Sequence, residues 1–394
     1  MNYDRFLNQS IASVPPSGIR RFFDLAATMK DTISLGVGEP DFKTPYHIRN
    51  AAVNSLIDGE TQYTANRGLP ELREEIALYL SERYGVSYDP ASDIIVTIGA
   101  SEAIDISLRA VLSPGAEVLV PEPSYVSYAP GVIFAGGVPV PVVTDQKNDF
   151  RLRASDLEAA VTPRTRALIL PYPNNPTGAI MERNDLEALL PVILRHDLLV
   201  ISDEIYSELI YDGKVHTAFA SLPDMAPRTV TINGFSKAFA MTGWRVGYVC
   251  APAELISVMN KIHQYTIMCA PRQGQVAAVE ALRSGRENGY EDVLRMRESY
   301  DRRRRLMVSS FRDMCLDCFE PYGAFYVFPS IRSTGLSSEE FCSRLLTEKS
   351  VAAVPGTAFG PSGEGNIRCS YATALDKLNA ALERIGEFVS SLGG

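Results

Sequence analysis

The sequence predicts an α/β protein in which a mostly parallel sheet lies between helices, joined to a smaller α+β domain. From about residue 93 to 251, short β-type runs alternate with helical patterns. The β-type runs are almost continuously apolar, which is typical of strands buried on both faces by crossover helices. After about residue 285 this alternation gives way to long helical patterns and isolated short strands, which favours a second, α+β unit.

The strands of the larger unit follow one another at regular intervals. DIIVTIG (93–99) is the first, and it runs into a helix whose apolar residues recur at helical spacing, as at Ile104 and Leu108. A further helix is predicted over 182–196. The other strands predicted for this sheet are 117–123, 166–173, 198–206, 229–235 and 244–251.

The smaller unit is predicted to contain three helices and two short strand regions. The helices cover about 289–314, 337–350 and 375–392, and the strand regions are VAAVPG (351–356) and NIRCSYA (366–372). The first forty or so residues are too irregular to fold alone, so we expect them to pack against this unit. We therefore predict a large domain at 48–285 and a small domain formed by 1–47 and 286–394.

Length and charge restrict the class of protein. The 394 residues exceed one small core, and 47 acidic against 38 basic residues leave a formal charge of −9. That charge argues against nucleic acid and against a polybasic membrane anchor as partners. The start MNYDRFLNQS lacks the apolar core of a signal peptide, and the six cysteines are scattered. These features predict a cytoplasmic protein with no nucleic-acid or membrane partner.

Polar side chains follow five of the predicted strands, in the segments GASE, PEPSY, PYPNNPTG, SDEIY and GFSK. The carboxyl ends of parallel strands meet at one edge of a sheet, where ligands bind. The start of the helix in GASEAID offers free backbone N–H groups to a phosphate, and Arg245 is expected to clamp the same phosphate from the next strand. The side chains gathered at this edge are expected to be Ser101, Tyr125, Asn175, Asp203, Tyr206, Ser236 and Lys237.

Pyridoxal phosphate is the small molecule that uses such a set of groups. A lysine forms a Schiff base with its aldehyde, and a carboxylate keeps its ring nitrogen protonated, so that the ring accepts electrons. An aromatic side chain stacks on the ring, while amide and phenol groups bind the ring oxygen. This reading also explains why a lysine and an arginine lie in the apolar stretch NGFSKAFAMTGWRVGY (233–248).

The motifs together resemble those of the class I/II pyridoxal-phosphate-dependent aminotransferases of fold type I, in the family's order and over essentially the whole chain. The resemblance implies the fold type I architecture, with a mostly parallel, seven-stranded type of sheet. The motifs that carry it are GVGEPDF (36–42), QYTANRGLPELR (62–73), GASEA (99–103), PSYVSY (123–128), NNPTG (174–178), SDEIY (202–206), GFSKAFAMTGWRVGY (234–248) and NIRCSYA (366–372).

The resemblance also implies roles for individual residues. Lys237 forms the Schiff base and, once substrate displaces it, acts as the base that moves a proton. Asp203 pairs with the ring nitrogen, Asn175 and Tyr206 bind the ring oxygen, and Tyr125 stacks on the ring. The catalytic residues are thus expected to be Lys237, Asp203 and Tyr206, and no metal site is expected.

The same resemblance implies phosphate and substrate ligands. The backbone of Ala100 and Ser101, with Ser236 and Arg245, is expected to hold the phosphate. Arg368 is expected to grip the substrate α-carboxylate, helped by Gly38 and Asn175. In relatives, the tyrosine that matches Tyr63 reaches the phosphate of the neighbouring subunit, which implies a homodimer with sites at the interface.

Two departures from aspartate aminotransferases affect the substrate prediction. Gly234 occupies a position, three before the lysine, where many of those enzymes have serine, and Gln264 lies near the place of their cross-subunit arginine. The segment HQYTIMCAP (263–271) resembles the aromatic or acetyl-diaminopimelate branch. We therefore expect an aromatic, aspartate or diaminopimelate-type L-amino acid as donor and 2-oxoglutarate as acceptor, in a ping-pong reaction through pyridoxamine phosphate.

Several alternatives stay open at this point. A β-lyase of the cystathionine or cysteine-conjugate type uses the same cofactor residues, and a non-catalytic cofactor or amino-acid sensor is a second possibility. The pair Cys315 and Cys318 has metal-ligand spacing but no matching second pair. Residues 15–22 are expected to form a lid. Ile19, Tyr125, residues 263–268 and the partner chain are expected to line the side-chain pocket.

Overall fold

The computed structural model describes residues 1, 3–16, 18 and 31–392. Its largest sheet has seven strands in the order β2-β8-β7-β6-β5-β3-β4. All neighbouring pairs are parallel except those of β8, which is antiparallel to β2 and β7. The predicted mostly parallel sheet is therefore confirmed. Its strands are β2 (Ile94–Thr97), β3 (Glu117–Glu122), β4 (Val138–Val143), β5 (Thr165–Leu170), β6 (Leu199–Asp203), β7 (Thr229–Gly234) and β8 (Gly247–Cys250).

Strand β4, with the sequence VPVPVV, was not among the predicted strands. Two prolines, Pro139 and Pro141, remove backbone donors, so the segment does not read as a central strand. Within the described residues, β4 pairs only with β3 and forms an edge of the sheet, with Val138 and Val143 exposed. An edge strand tolerates proline because it needs hydrogen-bond donors on one side only.

Helices cover both faces of this sheet. The helix Gly99–Val111 packs on one face with Ile104 and Leu108 in the core, and Pro70–Tyr84 packs on the other with Leu72 and Ile76. The predicted helix 182–196 is divided in two near Pro191. The other described helices between residues 46 and 288 are Tyr46–Ile57, Tyr128–Phe134, Ala154–Ala160, Arg183–Glu187, Leu190–Arg195, Ala253–Thr266 and Arg272–Asn288.

The C-terminal part contains two small sheets and three helices. The helices are Glu291–Asp313, Ser338–Lys349 and Leu375–Leu392, close to the predicted positions. Strand β12 (Ile367–Ser370) lies between β11 (Val354–Pro355) and β9 (Tyr326–Val327), antiparallel to both. The predicted strand 351–356 is split, because β10 (Val351–Ala352) instead joins β1 (Ile33–Ser34) in parallel. Aromatic residues fill the core of this part, including Tyr300, Phe325, Phe341, Tyr371 and Phe388.

The N-terminal segment contacts both parts of the molecule. Strand β1 pairs with β10 of the C-terminal part, whereas the short helix Gln9–Ala12 contacts the helix Tyr128–Phe134 of the seven-stranded part. The lid prediction at 15–22 and the pocket prediction at Ile19 fall largely on residues outside the described ranges. Across the described helices, none combines the length and apolar character needed to cross a membrane.

Candidate active site

The ends of the strands open into a cavity of about 520 Å³. This cavity lies at the carboxyl edge of β6 and β7, where the sequence predicted a binding site. It is lined by every residue predicted for the site except Tyr63, namely Gly38, Ala100, Ser101, Tyr125, Asn175, Asp203, Tyr206, Ser236, Lys237, Arg245 and Arg368.

Lys237 follows strand β7, and its side chain reaches across the cavity. Its Nζ donates a 2.6 Å hydrogen bond to the carbonyl of Gly38, and within residues 31–392 no carboxylate oxygen lies within 4.0 Å of it. Burial lowers the pKa of Lys237 to about 8; Glu39 opposes this effect, and Arg368 adds to it. The amine therefore has an appreciable neutral fraction near neutral pH, which a nucleophile or a base requires.

Asp203 ends strand β6 and is buried at the floor of the cavity. Burial raises the pKa of this carboxyl to about 6. The Tyr128 hydroxyl and the Ile205 N–H, at 2.8 and 3.2 Å, donate hydrogen bonds to it and oppose that rise. Tyr128 was not predicted as a site residue. The only signal for it was its place in PSYVSY, three residues after Tyr125 in the chain, which says nothing about Asp203.

Arg368 lies on β12 and is 2% exposed. One terminal nitrogen donates to Asn175 Oδ1 at 2.8 Å, and the other donates to the Gly36 carbonyl. Among the described residues, its Nε has no hydrogen-bond partner. Within residues 31–392, no carboxylate oxygen lies within 4.0 Å of the guanidinium. A buried guanidinium without a carboxylate is a strong site for an anionic group.

Aromatic rings surround the guanidinium and the lysine. The Arg368 guanidinium lies 4.4 Å from the ring centre of Tyr326, and the Tyr326 hydroxyl is 2.9 Å from that of Tyr206. Tyr326 lines the cavity and was not predicted. It also explains Gly38, because a Cβ at that position would lie 2.5 Å from the Tyr326 oxygen.

The helix Gly99–Val111 begins at the edge of the cavity, beneath the Arg245 guanidinium. Gly99 has a φ of +70°, and a Cβ there would lie 2.5 Å from Arg245 Nη2. A Cβ on Gly247 would lie 2.6 Å from the backbone nitrogen of Ala100. These close approaches require glycine at both positions, and Ala100 and Ser101 at the start of the helix line the cavity.

Arg245 is placed differently from the prediction. It does not belong to a strand: it precedes β8 in the left-handed conformation, with a φ of 55°. Its terminal nitrogens donate to the carbonyls of Thr242 and Ile98 at 3.0 and 3.4 Å. The guanidinium is thereby aimed over the start of the helix, and within the described part of the chain no carboxylate pairs with it.

The structure explains one departure from the family pattern. A Cβ on Gly234 would lie 2.8 Å from the Cα of Gly247, because β7 and β8 pair closely here. A serine at this position would force the two strands apart. The neighbouring hydroxyl of Ser236 is buried and lines the cavity.

Other predicted residues lie outside the cavity. Tyr63 is 78% exposed and does not line the cavity of its own chain. The expectation that 263–268 line the pocket is not met for His263, which is fully buried against Glu102. Tyr265 is 86% exposed, so it faces away from the protein core.

Comparison with known proteins places this chain in a family. A sequence profile described as "Aminotransferase class I and II" matches residues 30–385. The chain is 53% identical to a putative aminotransferase, YugH, of Bacillus subtilis over 98% of both chains. It is 50% identical to an aspartate aminotransferase of Pyrococcus abyssi, over 94% of this chain and 95% of the relative.

A solved structure agrees with these relatives. The aromatic aminotransferase of Pyrococcus horikoshii superimposes with a TM-score of 0.90 at 47% identity, covering 95% of this chain and 99% of that one. All three proteins are named aminotransferases, so the β-lyase and sensor alternatives gain no support from them. The chain therefore belongs to the class I and II aminotransferase family, and it is an aminotransferase with the fold type I architecture.

Proposed function

We propose that the cavity binds pyridoxal phosphate and moves the amino group of an L-amino acid to a 2-oxo acid. One observation carries the proposal: the cavity combines a lysine amine, a buried carboxylate and two guanidinium groups that have no carboxylate partner in the described part of the chain. Each of these groups matches a separate part of the cofactor or the substrate.

The groups present fit the phosphate and the ring of the cofactor. The first N–H groups of the helix Gly99–Val111 and the guanidinium of Arg245 form a cradle that a Cβ on Gly99 would fill. Asp203 would hold the ring nitrogen, Tyr125 the ring face, and Tyr206 with Asn175 the ring oxygen. Ser236 would add a hydroxyl to the phosphate.

Lys237 is the residue that would hold the aldehyde carbon and then handle the proton. When bound, pyridoxal phosphate supplies a conjugated ring that takes up the electron pair of the breaking Cα–H bond. Lys237 Nζ accepts the Cα proton and later returns a proton. Because burial keeps its pKa at about 8, the neutral and protonated amine are both accessible near neutral pH.

Arg368 orients the substrate for this proton transfer. Its unpartnered Nε and its bond to Asn175 support binding of the substrate α-carboxylate. A carboxylate held at this guanidinium fixes one end of the amino acid while Lys237 acts at Cα. Arg245 and Arg368 are the two arginines among the described lining residues.

The first test is the visible absorption of the protein with added pyridoxal phosphate, followed during titration with amino acids. Lys237→Ala should remove the absorption band and nearly all turnover, whereas Lys377→Ala, at an exposed position of the last helix, should keep both. Aromatic amino acids, aspartate and a diaminopimelate derivative should be compared as donors, with 2-oxoglutarate as acceptor. A fully active Lys237→Ala protein would overturn the proposal.

We further propose that the large domain 48–285 and the small domain 1–47 plus 286–394 act as units in a homodimer. Exposed apolar side chains on the helix Tyr46–Ile57, including Val53, Leu56 and Ile57, support burial of this face, as does the nearby exposed Tyr63. Co-expression of Lys237→Ala and Tyr63→Ala chains tests the shared site. In mixed dimers, one site has Lys237 from one chain and Tyr63 from the other. About a quarter of wild-type sites should therefore reappear at equal expression, and no gain over the separate variants would contradict sharing.

A further inference from the structure

The imidazole of His263 lies between two hydrogen-bond acceptors. It is 0% exposed near the end of the helix Ala253–Thr266. Its Nδ1 is 2.6 Å from Glu102 Oε1, and its Nε2 is 2.8 Å from the backbone carbonyl of Asn66. A carbonyl only accepts, so Nε2 carries a proton, and an ionised carboxylate only accepts, so Nδ1 carries one as well.

We propose that His263 is a positioning residue, held as an imidazolium, that neutralises Glu102 beside the phosphate cradle and ties this cradle to the segment bearing Tyr63. The other carboxylate oxygen of Glu102 already accepts the N–H of Ile98, which favours the ionised form. The proposal rests on the function proposed above for the helix start and for Tyr63.

The location of Glu102 makes its charge important. It lies in the first turn of the helix Gly99–Val111, next to the N–H groups of Ala100 and Ser101. A carboxylate in the first turn stabilises a helix, but an uncompensated negative charge there repels a phosphate bound at the same end. The buried imidazolium cancels that charge, so the helix start keeps its attraction for an anion.

The second bond reaches the segment that contains Tyr63. Asn66 accepts from His263 through its carbonyl and donates from its side chain to the Met268 carbonyl at 2.8 Å. His263 lies near the C-terminal end of the helix Ala253–Thr266, and Met268 lies just after this helix. One imidazole therefore joins the phosphate cradle of its own cavity to a segment that, in the proposed dimer, serves the cavity of the partner.

The protonation of His263 can be measured without cofactor. Because the chain has four histidines, ¹⁵N-labelled, cofactor-free protein gives few ring-nitrogen resonances. The two resonances that are lost in His263→Gln belong to the ring nitrogens of His263. Because each ring nitrogen faces an acceptor, both ring nitrogens of His263 should carry hydrogens. A ring nitrogen without hydrogen would overturn the imidazolium assignment, whatever the outcome of the Lys237→Ala test.

A double-mutant cycle of His263 and Glu102 tests the effect of their charges on phosphate binding at the cradle. His263→Gln should raise the Kd for pyridoxal phosphate about tenfold, because Glu102 is left uncompensated. Adding Glu102→Gln should restore most of the affinity. The control is His196→Gln, which removes a part-buried imidazole bonded to Glu158 at 2.9 Å, and it should change the Kd less than about twofold.

Two outcomes would overturn the role of the pair. Equal Kd values for His263→Gln and the double variant would mean that the charge of Glu102 does not act on the phosphate. If His263→Gln does not fold, the Kd of Glu102→Gln is the test. This variant should bind the cofactor at least as tightly as wild type does, and weaker binding would contradict the proposal. Absence of cofactor binding by the wild type would instead refute the proposed function.

Discussion

The hydroxyl of Tyr128 donates a 2.8 Å hydrogen bond to Oδ2 of Asp203, although 75 positions separate the two residues in the chain. The bond is buried, and it stabilises the ionised carboxylate against the desolvation that raises the pKa of Asp203 to about 6. Tyr128 therefore helps to keep a negative charge where the proposed cofactor nitrogen would lie.

Tyr128→Phe should raise the pKa of Asp203 above about 6 in the cofactor-free protein. The unfolded carboxyl has a pKa of about 3.9, so the folded protein gains stability as pH falls from about 6 towards 4. In Tyr128→Phe, this gain in stability should begin at a higher pH than in wild type. The acid limb of the pH profile of kcat/KM should also move to higher pH. Unfolding midpoints and rates measured across this range check both effects.

Tyr172→Phe is the matched control for that substitution. It removes another buried tyrosine hydroxyl, which donates at 2.8 Å to the Phe150 carbonyl. It should cost about 1 kcal/mol of stability without moving the acid limb. An acid limb that shifts equally in both variants would mean that Tyr128 acts only through general stability.

Arg368→Lys should reduce kcat/KM for the amino-acid donor on the order of 100-fold. Lysine keeps the charge but cannot make the bidentate contact that a guanidinium makes with a carboxylate. The cofactor absorption band should remain, because Arg368 is proposed to bind substrate. Steady-state kinetics with one donor check this, with Arg332→Lys as control, since Arg332 donates to the Glu364 carbonyl outside the cavity lining. Loss of the band with unchanged KM would contradict the assignment.

Gly99→Ala should weaken cofactor binding at least about tenfold, because its Cβ would displace the Arg245 guanidinium from the helix start. Gly289→Ala separates this effect from backbone strain. Gly289 has the same φ of +70°, and a Cβ there meets nothing within 4 Å. Both variants should lose about 1 kcal/mol of stability. Equal Kd values in the two variants would mean that Arg245 does not hold the phosphate.

A buried carboxylate outside the cavity lining gives a prediction about stability. Glu208 accepts from Tyr79 at 2.6 Å and from Arg83 Nη2 at 2.6 Å. Burial alone would raise the pKa of Glu208, but these donors hold it below the ordinary value. Arg83→Leu should therefore cost about 3 kcal/mol, because it leaves the carboxylate without its cation.

Denaturant unfolding at neutral and acid pH measures this loss. The stabilisation due to the lowered pKa is present above the unfolded pKa of about 4.3 and disappears as pH falls through the folded value. The difference between wild type and Arg83→Leu should therefore shrink in acid. Arg183→Leu, which removes an exposed pair with Glu187, should cost at most about 0.5 kcal/mol. Equal losses in the two variants would contradict the argument.

The sequence by itself determined six of the seven strands of the large sheet and a group of residues around the cavity. Apolar runs and their helical spacing predict the sheet, and parallel strands place their carboxyl ends on one edge. This edge predicts Asn175, Asp203 and Lys237, whereas Arg368 is predicted from the family resemblance of the segment NIRCSYA. The edge strand β4 was not predicted, because its prolines are untypical of a central strand. An edge strand tolerates proline, since it needs backbone hydrogen-bond donors on one side only.

The tertiary structure decided the contacts that adjust these residues. Tyr128 meets Asp203, Tyr326 meets Tyr206, and His263 meets Glu102 over separations of 75, 120 and 161 positions. Periodicity reports which face of an element is buried, but not which distant side chain it meets there. The left-handed backbone of Arg245 and the contact of its guanidinium with Gly99 are likewise features of the tertiary structure. Pairwise contacts between distant segments arise only once the chain has packed, which is why they were absent from the sequence-based prediction.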